Sequence, residues 1–352
     1  MLSLANDTFK LMFGETEIAI TASIILPLFV FGVVGNIVTI IVIYRSPKLK
    51  SKFNYVIFSI CFSDLISAML SPLFLYRRTW GFLSWNLSDA LCKIFWAGDN
   101  FTSVATSLHI LLFAFFRLTS IMYPRWFKRI TIKHVKLALI VVWVSSFGVG
   151  FILFVFMFGS RLINRHASNP ERTWPSCIAY TERLGMLRMY SKVGYSIFFY
   201  IPMVLITVLS IRIVYVIYLR KIQRREAMKK KHQKENSQEQ KQQKKEKKAV
   251  LQLSLIVGSF ALGYIPHTAF HFVATTSKPK TQFDLHMQWW FGQLEYITLR
   301  ISECLNPIFY NLASPKMRHE TMALITKSGG RSNTPRNTTK PVCINTLDQN
   351  TV

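Results

Sequence analysis

The sequence predicts an all-α membrane protein built as a bundle of seven transmembrane helices. Of its 352 residues, 51% are apolar, and the mean hydropathy is +0.27. Lys and Arg number 43 against 17 Asp and Glu, which gives a net charge of +26. The basic and the apolar residues occupy different stretches, as in a polytopic membrane protein. A soluble enzyme does not fit this pattern, and the abundant aliphatic and aromatic residues exclude disorder outside two short regions.

Seven apolar stretches have the length that a bilayer requires, about 20 residues at ~1.5 Å per residue. The centres of the first and fourth carry no charge, the third contains Asp99, and the seventh contains Glu295, Arg300 and Glu303. We predict the spans at about 18–45, 53–77, 92–120, 136–159, 190–219, 249–274 and 285–311, within a transmembrane domain of residues 18–312.

The distribution of basic residues predicts the orientation of the spans. Of the 43 Lys and Arg, 29 follow spans one, three, five and seven, so these segments are expected in the cytoplasm. Residues 1–17 then form an extracellular amino terminus. The sequons at Asn6 and Asn86 both fall on the outer side, which makes them candidate glycosylation sites.

The amino-acid composition predicts the character of three cytoplasmic segments. Residues 220–248 form a basic loop suited to contact with anionic lipid, although their propensities equally allow a helical extension of spans five and six. Residues 313–326 are typical of a short amphipathic helix on the membrane surface. Residues 327–352, rich in Ser, Thr, Asn and Pro, are expected to form a flexible tail.

Single residues in each span distinguish among classes of seven-helix protein. In chain order they are Gly35-Asn36, Ser63-Asp64-Leu65, Cys92 with Arg117, Trp143, Pro202, Pro266 and Asn306-Pro307-Ile308-Phe309-Tyr310. Together they resemble the signature positions of the rhodopsin-like (class A) G-protein-coupled receptors, over about residues 18–326. The segment from Lys48 to Leu65 also looks loosely like that of melatonin-receptor-like and related invertebrate orphan receptors.

The resemblance implies a multi-pass receptor of the plasma membrane, not an enzyme, that transduces an unidentified extracellular ligand to heterotrimeric G proteins. It implies a disulfide between Cys92 and Cys177, which both face the oxidising outer side. Arg117, Pro307 and Tyr310 would serve G-protein coupling, and phosphorylated tail residues would recruit arrestin. Membrane lipids are expected partners. Nucleic acid is not, because the basic charge lies on one side of a membrane.

The resemblance also places a ligand cavity at the outer ends of the helices. Asp99 matches the position where amine receptors hold an ammonium, and Arg300 matches the retinal-binding lysine of visual pigments. Arginine cannot form that Schiff base, and we expect an Asp99–Arg300 salt bridge that is either purely structural or opened by a charged ligand. A small polar or zwitterionic ligand is expected, or a peptide. The predicted ligand-binding residues are Trp96, Asp99, Tyr195, Tyr264, His267, His271, Tyr296 and Arg300, with Phe198 and Glu295 beside them.

A polar centre is expected in mid-membrane, where each charge costs at least ~2.5–3.5 kcal/mol. In the family, the acid that matches Asp64 holds a sodium ion in the resting state, and no other cofactor is expected. Glu303 departs from the family pattern, and two carboxylates would bind a cation more strongly or share a proton. A simple buried hydrogen-bond network is the alternative. The predicted sodium ligands are Asp64, Thr106, Ser302, Glu303 and Asn306.

Three signalling positions depart from the family. The usual Asp-Arg-Tyr at the end of span three is Phe116-Arg117-Leu118, Tyr264 replaces a tryptophan, and Ser210 replaces a tyrosine. Loss of the acid beside Arg117 removes a restraint on the resting state, which predicts raised basal signalling. The same changes also allow the opposite outcome, weak or absent coupling.

Three other functions are compatible with part of the sequence pattern. A decoy or scaffold receptor would keep the fold and bind without coupling. A channel or transporter would use the intramembrane charges as a pathway. A membrane zinc hydrolase would need three ligands around one water, for which His267, His271 and His286 are the candidates.

Overall fold

The computed structural model describes residues 14–82, 84–164, 173–231, 237–276 and 281–329, and within them seven helical spans pack as a bundle. The helices are α1 (Glu15–Arg45), α2 (Lys52–Met69), α3 (Ser71–Arg78), α4 (Asp89–Met122), α5 (Pro124–Arg129), α6 (Ile132–Ser146), α7 (Leu153–Met157), α8 (Leu184–Met189), α9 (Ile201–Lys231), α10 (Ser237–Thr276), α11 (Gln282–Ala313) and α12 (Pro315–Gly329). Short 3₁₀ turns lie at Pro47–Leu49 and Thr181–Arg183, and π-helical turns at Phe147–Ile152, Tyr190–Gly194 and Ser196–Tyr200. The predicted seven-helix bundle is confirmed.

Six helical segments in the described residues are long and apolar enough to cross a membrane. They are Glu15–Arg45, Lys52–Arg78, Asp89–Met122, Ile132–Met157, Thr181–Arg224 and Glu246–Ala274. The seventh span, α11, is equally long but less apolar, because Glu295, Arg300 and Glu303 lie within it. Charges in a span are tolerated where they face the bundle interior, and all three of these residues are buried.

Several spans are composed of more than one helical element. Span two bends at Leu70, where α2 gives way to α3 with a proline in its first turn. Span four joins α6 to α7 through a π-helical turn and ends at Met157, whereas we predicted 136–159. Helix α9 continues to Lys231 and α10 begins at Ser237, so helices occupy most of the basic segment 220–248. The described part of that segment is thus a helical extension of spans five and six, which is compatible with its predicted contact with anionic lipid.

Side-chain caps define where several helices begin. The Ser51 hydroxyl accepts a hydrogen bond from the Asn54 backbone N–H before α2, and Ser88 accepts one from Leu91 before α4. Thr281 forms a reciprocal capping box ahead of α11. Such caps satisfy backbone donors that the first helical turn leaves free.

A β-hairpin, which the sequence did not predict, lies in the outer loop between spans four and five. Strand β1 (Phe158–Asn164) pairs antiparallel with β2 (Thr173–Ala179), and Ser160 lies opposite Cys177. The disulfide between Cys92 and Cys177, which the family resemblance implied, joins this hairpin to the outer end of α4. Trp85, only 1% exposed, packs against the disulfide. The hairpin is therefore fixed over the outer ends of the helices.

The short helix α12 follows span seven, close to the predicted amphipathic segment 313–326. Its Glu320 carboxylate accepts a hydrogen bond from the Lys48 ammonium at 3.2 Å, which holds the pKa of Glu320 below its usual value. The pair connects α12 to the turn after α1. Asn6 and the tail beyond Gly329, with its candidate phosphorylation sites, lie outside the described residues.

Spans three and four approach each other closely at Gly150. A Cβ atom on Gly150 would lie 2.7 Å from the Cα of Phe101 and 3.1 Å from its backbone nitrogen. The Asn100 side-chain amide also donates a hydrogen bond to the Tyr190 hydroxyl at 2.8 Å, beside the same contact. Because backbone atoms cannot move aside as a flexible side chain can, this position requires glycine.

Gly150→Ala is expected to lower the free energy of unfolding by about 1–3 kcal/mol, because the added methyl overpacks the contact between spans three and four. Thermal unfolding of the purified receptor in detergent measures the effect. Gly148→Ala is the matched control in the same π-helical turn, since nothing lies within 4 Å of the Cβ it would add. Equal melting temperatures for the two variants would contradict the close approach.

Candidate functional site

A cavity of about 400 Å³ opens at the outer end of the bundle beneath the β-hairpin. Six of the eight predicted ligand-binding residues line it, namely Trp96, Asp99, Tyr195, His267, His271 and Tyr296, and so does the neighbouring Glu295. Tyr264 and Arg300 do not line it, and neither does Phe198. The volume and the mixture of aromatic and polar side chains are typical of a small-molecule site.

Residues of α3, which the sequence alone did not predict as ligand-binding residues, also line the cavity. Arg77 and Arg78 lie at its wall together with Phe74, and Trp289 and Phe270 face them from spans seven and six. These two consecutive arginines lie at the outer end of a span, whereas most basic residues of the chain are cytoplasmic. That unusual position could have identified them in the sequence as candidate cavity residues.

The guanidinium of Arg300 connects two carboxylates in the bundle interior. Its Nη2 donates a hydrogen bond to Oδ1 of Asp99 at 2.9 Å, and its Nη1 donates to Oε2 of Glu303 at 2.7 Å. Nη1 also donates to the hydroxyl of Ser67. The Arg300 side chain is 2% exposed, and its Cζ lies 4.4 Å from the ring centroid of Tyr296. The expected salt bridge between spans three and seven is present, and it extends to a third charge.

Asp99 is therefore already paired at the position where amine receptors bind an ammonium. Its side chain remains 22% exposed, so it touches both the Arg300 guanidinium and the cavity. A ligand ammonium would have to compete with a guanidinium fixed by three partners. Buried ion pairs of this kind are costly to break, because the remaining partner is left as an unpaired charge.

A second ion-pairing contact lies at the cavity wall between spans six and seven. Nδ1 of His267 lies 2.9 Å from Oε2 of Glu295, and both residues are buried. The Nε2 atom of His267 is buried and has no hydrogen-bond partner among the described residues. The ring centroids of Tyr195 and His271 lie 3.9 Å apart. The Nε2 atom of His267 is thus a polar group of the cavity that a ligand could satisfy.

Tyr264 lies deeper than the cavity. Its hydroxyl donates a hydrogen bond to the Ser103 carbonyl at 3.0 Å, one helical turn beyond Asp99 along α4. Its ring packs against those of Phe199 and Phe260, at centroid distances of 6.0 and 4.3 Å. The structure therefore places Tyr264 as a contact between spans three and six, beneath the cavity wall.

Three of the five predicted sodium ligands meet at mid-membrane. Asp64 accepts hydrogen bonds from Asn306 at 2.9 Å and from Thr106 at 3.4 Å. The other two are occupied elsewhere, because Glu303 is bound to Arg300 and the Ser302 hydroxyl lies 3.1 Å from that of Ser259. The Oδ1 atom of Asn306 is buried without a partner in the described residues. An unpaired acceptor beside a carboxylate fits a small cation.

The cytoplasmic end of α4 is restrained by an uncharged partner. Arg117 donates a hydrogen bond to the side-chain oxygen of Gln252 on α10, and its Cζ lies 3.9 Å from the ring centroid of Phe53. Glu246, six residues before Gln252 on α10, forms a two-point salt bridge with Arg224 of α9, at 3.0 Å for each contact. Neither Gln252 nor Glu246 was selected from the sequence.

The other predicted coupling residues lie at the inner half of α11. Tyr310 is fully buried, and its hydroxyl has no partner among the described residues. A Cβ on Gly35 would lie 3.3 Å from the ring of Pro307, so these two residues bring spans one and seven together. The structure thus positions Tyr310 inside the bundle, close to the cytoplasmic side.

No zinc site accompanies the predicted histidines in the part of the chain that is described. It contains no group of three or more His, Cys, Asp and Glu that could hold a metal ion. His286 instead accepts a hydrogen bond from the indole N–H of Trp290 at 2.9 Å.

The fold and these sites define a seven-helix receptor, and comparison with known families agrees. The profile of the family described as "7 transmembrane receptor (rhodopsin family)" matches residues 35–310. The chain belongs to this family, and it is accordingly a multi-pass protein of the plasma membrane.

Individual relatives include two kinds of receptor. The growth hormone secretagogue receptor type 1 of Oryctolagus cuniculus is 28% identical over 327 residues, which cover 92% of this chain and 85% of the relative. The neurotensin receptor type 1 of Homo sapiens is 25% identical over 325 residues, which cover 88% and 76% respectively. The looser resemblance to melatonin receptors is not confirmed by these similarities.

Arg300→Met is expected to destabilise the receptor by about 3–5 kcal/mol, because it leaves the Asp99 and Glu303 carboxylates buried without their cation. The loss appears as a lower melting temperature of the purified protein. The triple variant Arg300→Met, Asp99→Asn, Glu303→Gln removes all three charges and should recover most of that loss. A triple variant no more stable than Arg300→Met alone would show that the guanidinium acts by packing and not by charge.

Proposed function

We propose that this protein is a G-protein-coupled receptor that transmits the binding of an extracellular ligand to heterotrimeric G proteins. The observation that carries the proposal is the arrangement of two arginine contacts along α4. Asp99 meets Arg300 of span seven at the outer cavity, and Arg117 meets Gln252 of span six at the cytoplasmic end. Eighteen residues separate Asp99 from Arg117, about 27 Å of helix.

A ligand in the cavity would act on the contacts between α4 and the two following spans. The cavity is lined by Asp99 of α4, His267 of α10 and Tyr296 of α11, so one occupant touches all three spans. Occupancy that favours a different arrangement of α10 would weaken the Arg117–Gln252 hydrogen bond and open a cytoplasmic groove for a G protein. The ligand thereby shifts an equilibrium between two arrangements of the same helices.

The size and lining of the cavity support a small polar or zwitterionic ligand, or the end of a peptide. About 400 Å³ is near the lower limit for sites that enclose drug-sized molecules. The two kinds of relative are named for a growth hormone secretagogue and for neurotensin. We propose that this receptor likewise responds to an extracellular messenger, whose identity the names of its relatives do not determine.

The contact between Arg117 and Gln252 supports raised basal signalling. A hydrogen bond to a neutral amide is weaker than one to a carboxylate, so the resting arrangement is restrained less. The carboxylate of Glu246, on the same helix as Gln252, is bound to Arg224. The alternative, a receptor of this fold that binds without coupling, is an outcome of the experiment below.

Gln252→Glu is expected to lower basal G-protein dissociation several-fold, because it converts the contact with Arg117 into an ion pair worth about 1 kcal/mol more. Gln252→Ala should raise the basal signal, and Arg117→Ala should abolish it. The measurement is ligand-free dissociation of a panel of G proteins in cells with matched surface expression. Identical signals from all variants and from cells without the receptor, across the whole panel, would favour the non-coupling receptor.

The proposed receptor would also be glycosylated, contact membrane lipids and recruit arrestin. Asn86 is exposed on the outer loop between α3 and α4, which supports its glycosylation. Exposed basic residues at the inner ends of the spans support contact with anionic lipid. Arrestin recruitment through the tail remains a proposal based on composition.

We also propose that Asp64, Thr106 and Asn306 hold an allosteric sodium ion in the resting state. The unpaired Oδ1 of Asn306 supports this set, whereas Ser302 and Glu303 are omitted from it because other residues bind them. The ion would add a positive charge beside the buried Asp64 carboxylate and stabilise the closed arrangement of spans two, three and seven.

Sodium is expected to raise the melting temperature of the purified receptor when it replaces N-methylglucamine at constant ionic strength. A ligand at roughly ten times its dissociation constant stabilises the state it binds by about 1.4 kcal/mol. Asp64→Asn should eliminate the difference between the two salts. A wild-type melting temperature that is the same in both salts would refute the sodium site and leave the hydrogen-bond network as its explanation.

A further inference from the structure

Some charged side chains around the outer cavity form ion pairs with a described residue, whereas others do not. Asp99 is bound to Arg300, and Glu295 is bound to His267. Arg78 lines the same cavity, and no described carboxylate lies within 4.0 Å of its guanidinium. Glu295 and Asp99 attract it only from a greater distance. Arg78 is therefore a strong hydrogen-bond donor of this cavity with no described carboxylate in direct contact.

The surroundings of Arg78 fix its position without using its N–H donors. The ring centroids of Phe74 and Phe270 lie 5.4 and 5.6 Å from its Cζ. These cation–π contacts engage the charge and leave the five donors of the guanidinium available. The indole N–H of Trp289 donates to the backbone carbonyl of Arg78 at 3.0 Å, which holds the end of α3 against α11.

A glycine on span seven makes room for the guanidinium. A Cβ on Gly292 would lie 2.6 Å from Nη1 of Arg78 and 2.7 Å from Nη2. The guanidinium consequently packs against the backbone of α11, and its reach is limited to the cavity side. An arginine side chain loses little further freedom when it binds a planar partner from such a position.

Two further polar atoms of the cavity wall lack partners in the described residues. The indole N–H of Trp96 is a donor only, and Nε2 of His267 is the other atom. The Asp99 carboxylate could accept hydrogen bonds from a ligand, but a ligand ammonium would have to compete there with Arg300. The Trp96 indole therefore adds an unused donor to the wall on which Arg78 lies, and Nε2 of His267 is a second donor when its imidazole is protonated.

We infer that the outer cavity binds the carboxylate of its ligand, with Arg78 as the residue that holds it. The inference rests on the proposed function, since it assigns the chemistry of the same ligand cavity. A planar guanidinium matches a carboxylate with two parallel hydrogen bonds. The surrounding rings of Phe74, Phe270 and Trp289 would cover an apolar or aromatic body attached to that carboxylate.

Three molecules with one scaffold and different head groups test the inference on the purified full-length receptor. Indole-3-propionate carries a carboxylate, indole-3-propionamide a neutral amide, and tryptamine an ammonium. Equilibrium binding of each is measured by calorimetry, without a G protein. The carboxylate is expected to bind at least about tenfold more tightly than the amide, since hydrogen bonds between charged groups exceed neutral ones by this margin.

Arg78→Gln should reduce the affinity for indole-3-propionate about tenfold and leave that for indole-3-propionamide unchanged. Gly292→Ala, which keeps the charge but displaces the guanidinium, should also weaken carboxylate binding. Arg188→Gln is the matched control, because Arg188 is exposed on α8 and does not line the cavity. The melting temperature of each variant verifies that it is folded.

Four results would overturn the inference: equal affinity for carboxylate and amide, no measurable binding of the carboxylate, tighter binding of tryptamine, or a carboxylate preference that persists in Arg78→Gln. Because no G protein is present, any of these leaves the test of coupling through Gln252 unaffected. Conversely, a receptor that couples to no G protein could still show the carboxylate preference.

Discussion

The guanidinium of Arg300 is the interaction on which the interior of this receptor depends. It forms ion pairs with Asp99 on span three and with Glu303 on its own span, and it donates a further hydrogen bond to the hydroxyl of Ser67 on span two. Each carboxylate alone would be expensive to bury in a membrane. One planar cation makes both tolerable and joins three spans at the base of the ligand cavity.

The ion pair with Arg300 changes what Asp99 can bind. An aspartate at the place of Asp99 is free to bind an ammonium in amine receptors, but here it already contacts Arg300. Glu295 is similarly paired with His267. Because both acids are engaged inside the protein, we infer that the ligand is recognised by other groups of the cavity, among them the guanidinium of Arg78. The partner of a residue, and not only its type, decides what it can bind.

At the cytoplasmic end of α4, the partner of an arginine is again decisive, but the contact there is weaker. Arg117 contacts the neutral Gln252, while the acid Glu246 is bound to Arg224 on the neighbouring span. The cytoplasmic end of α4 is therefore restrained by a neutral hydrogen bond and by a cation–π contact with Phe53. Both ends of α4 thus depend on arginine contacts of different strength, a strong ion pair outside and a weaker restraint inside.

The sequence by itself determined the number, order and orientation of the spans, because a bilayer requires long apolar helices and tolerates basic residues mainly on one side. Motif positions also predicted the disulfide of Cys92 and the meeting of Asp99 with Arg300. The hairpin Phe158–Asn164 with Thr173–Ala179 was missed, since strand pairing depends on contacts distant in sequence. Only the tertiary structure decided that Gln252 faces Arg117 and that Arg78 lies in the cavity. Such partners depend on the rotation and tilt of each helix, which the packing of the whole bundle sets.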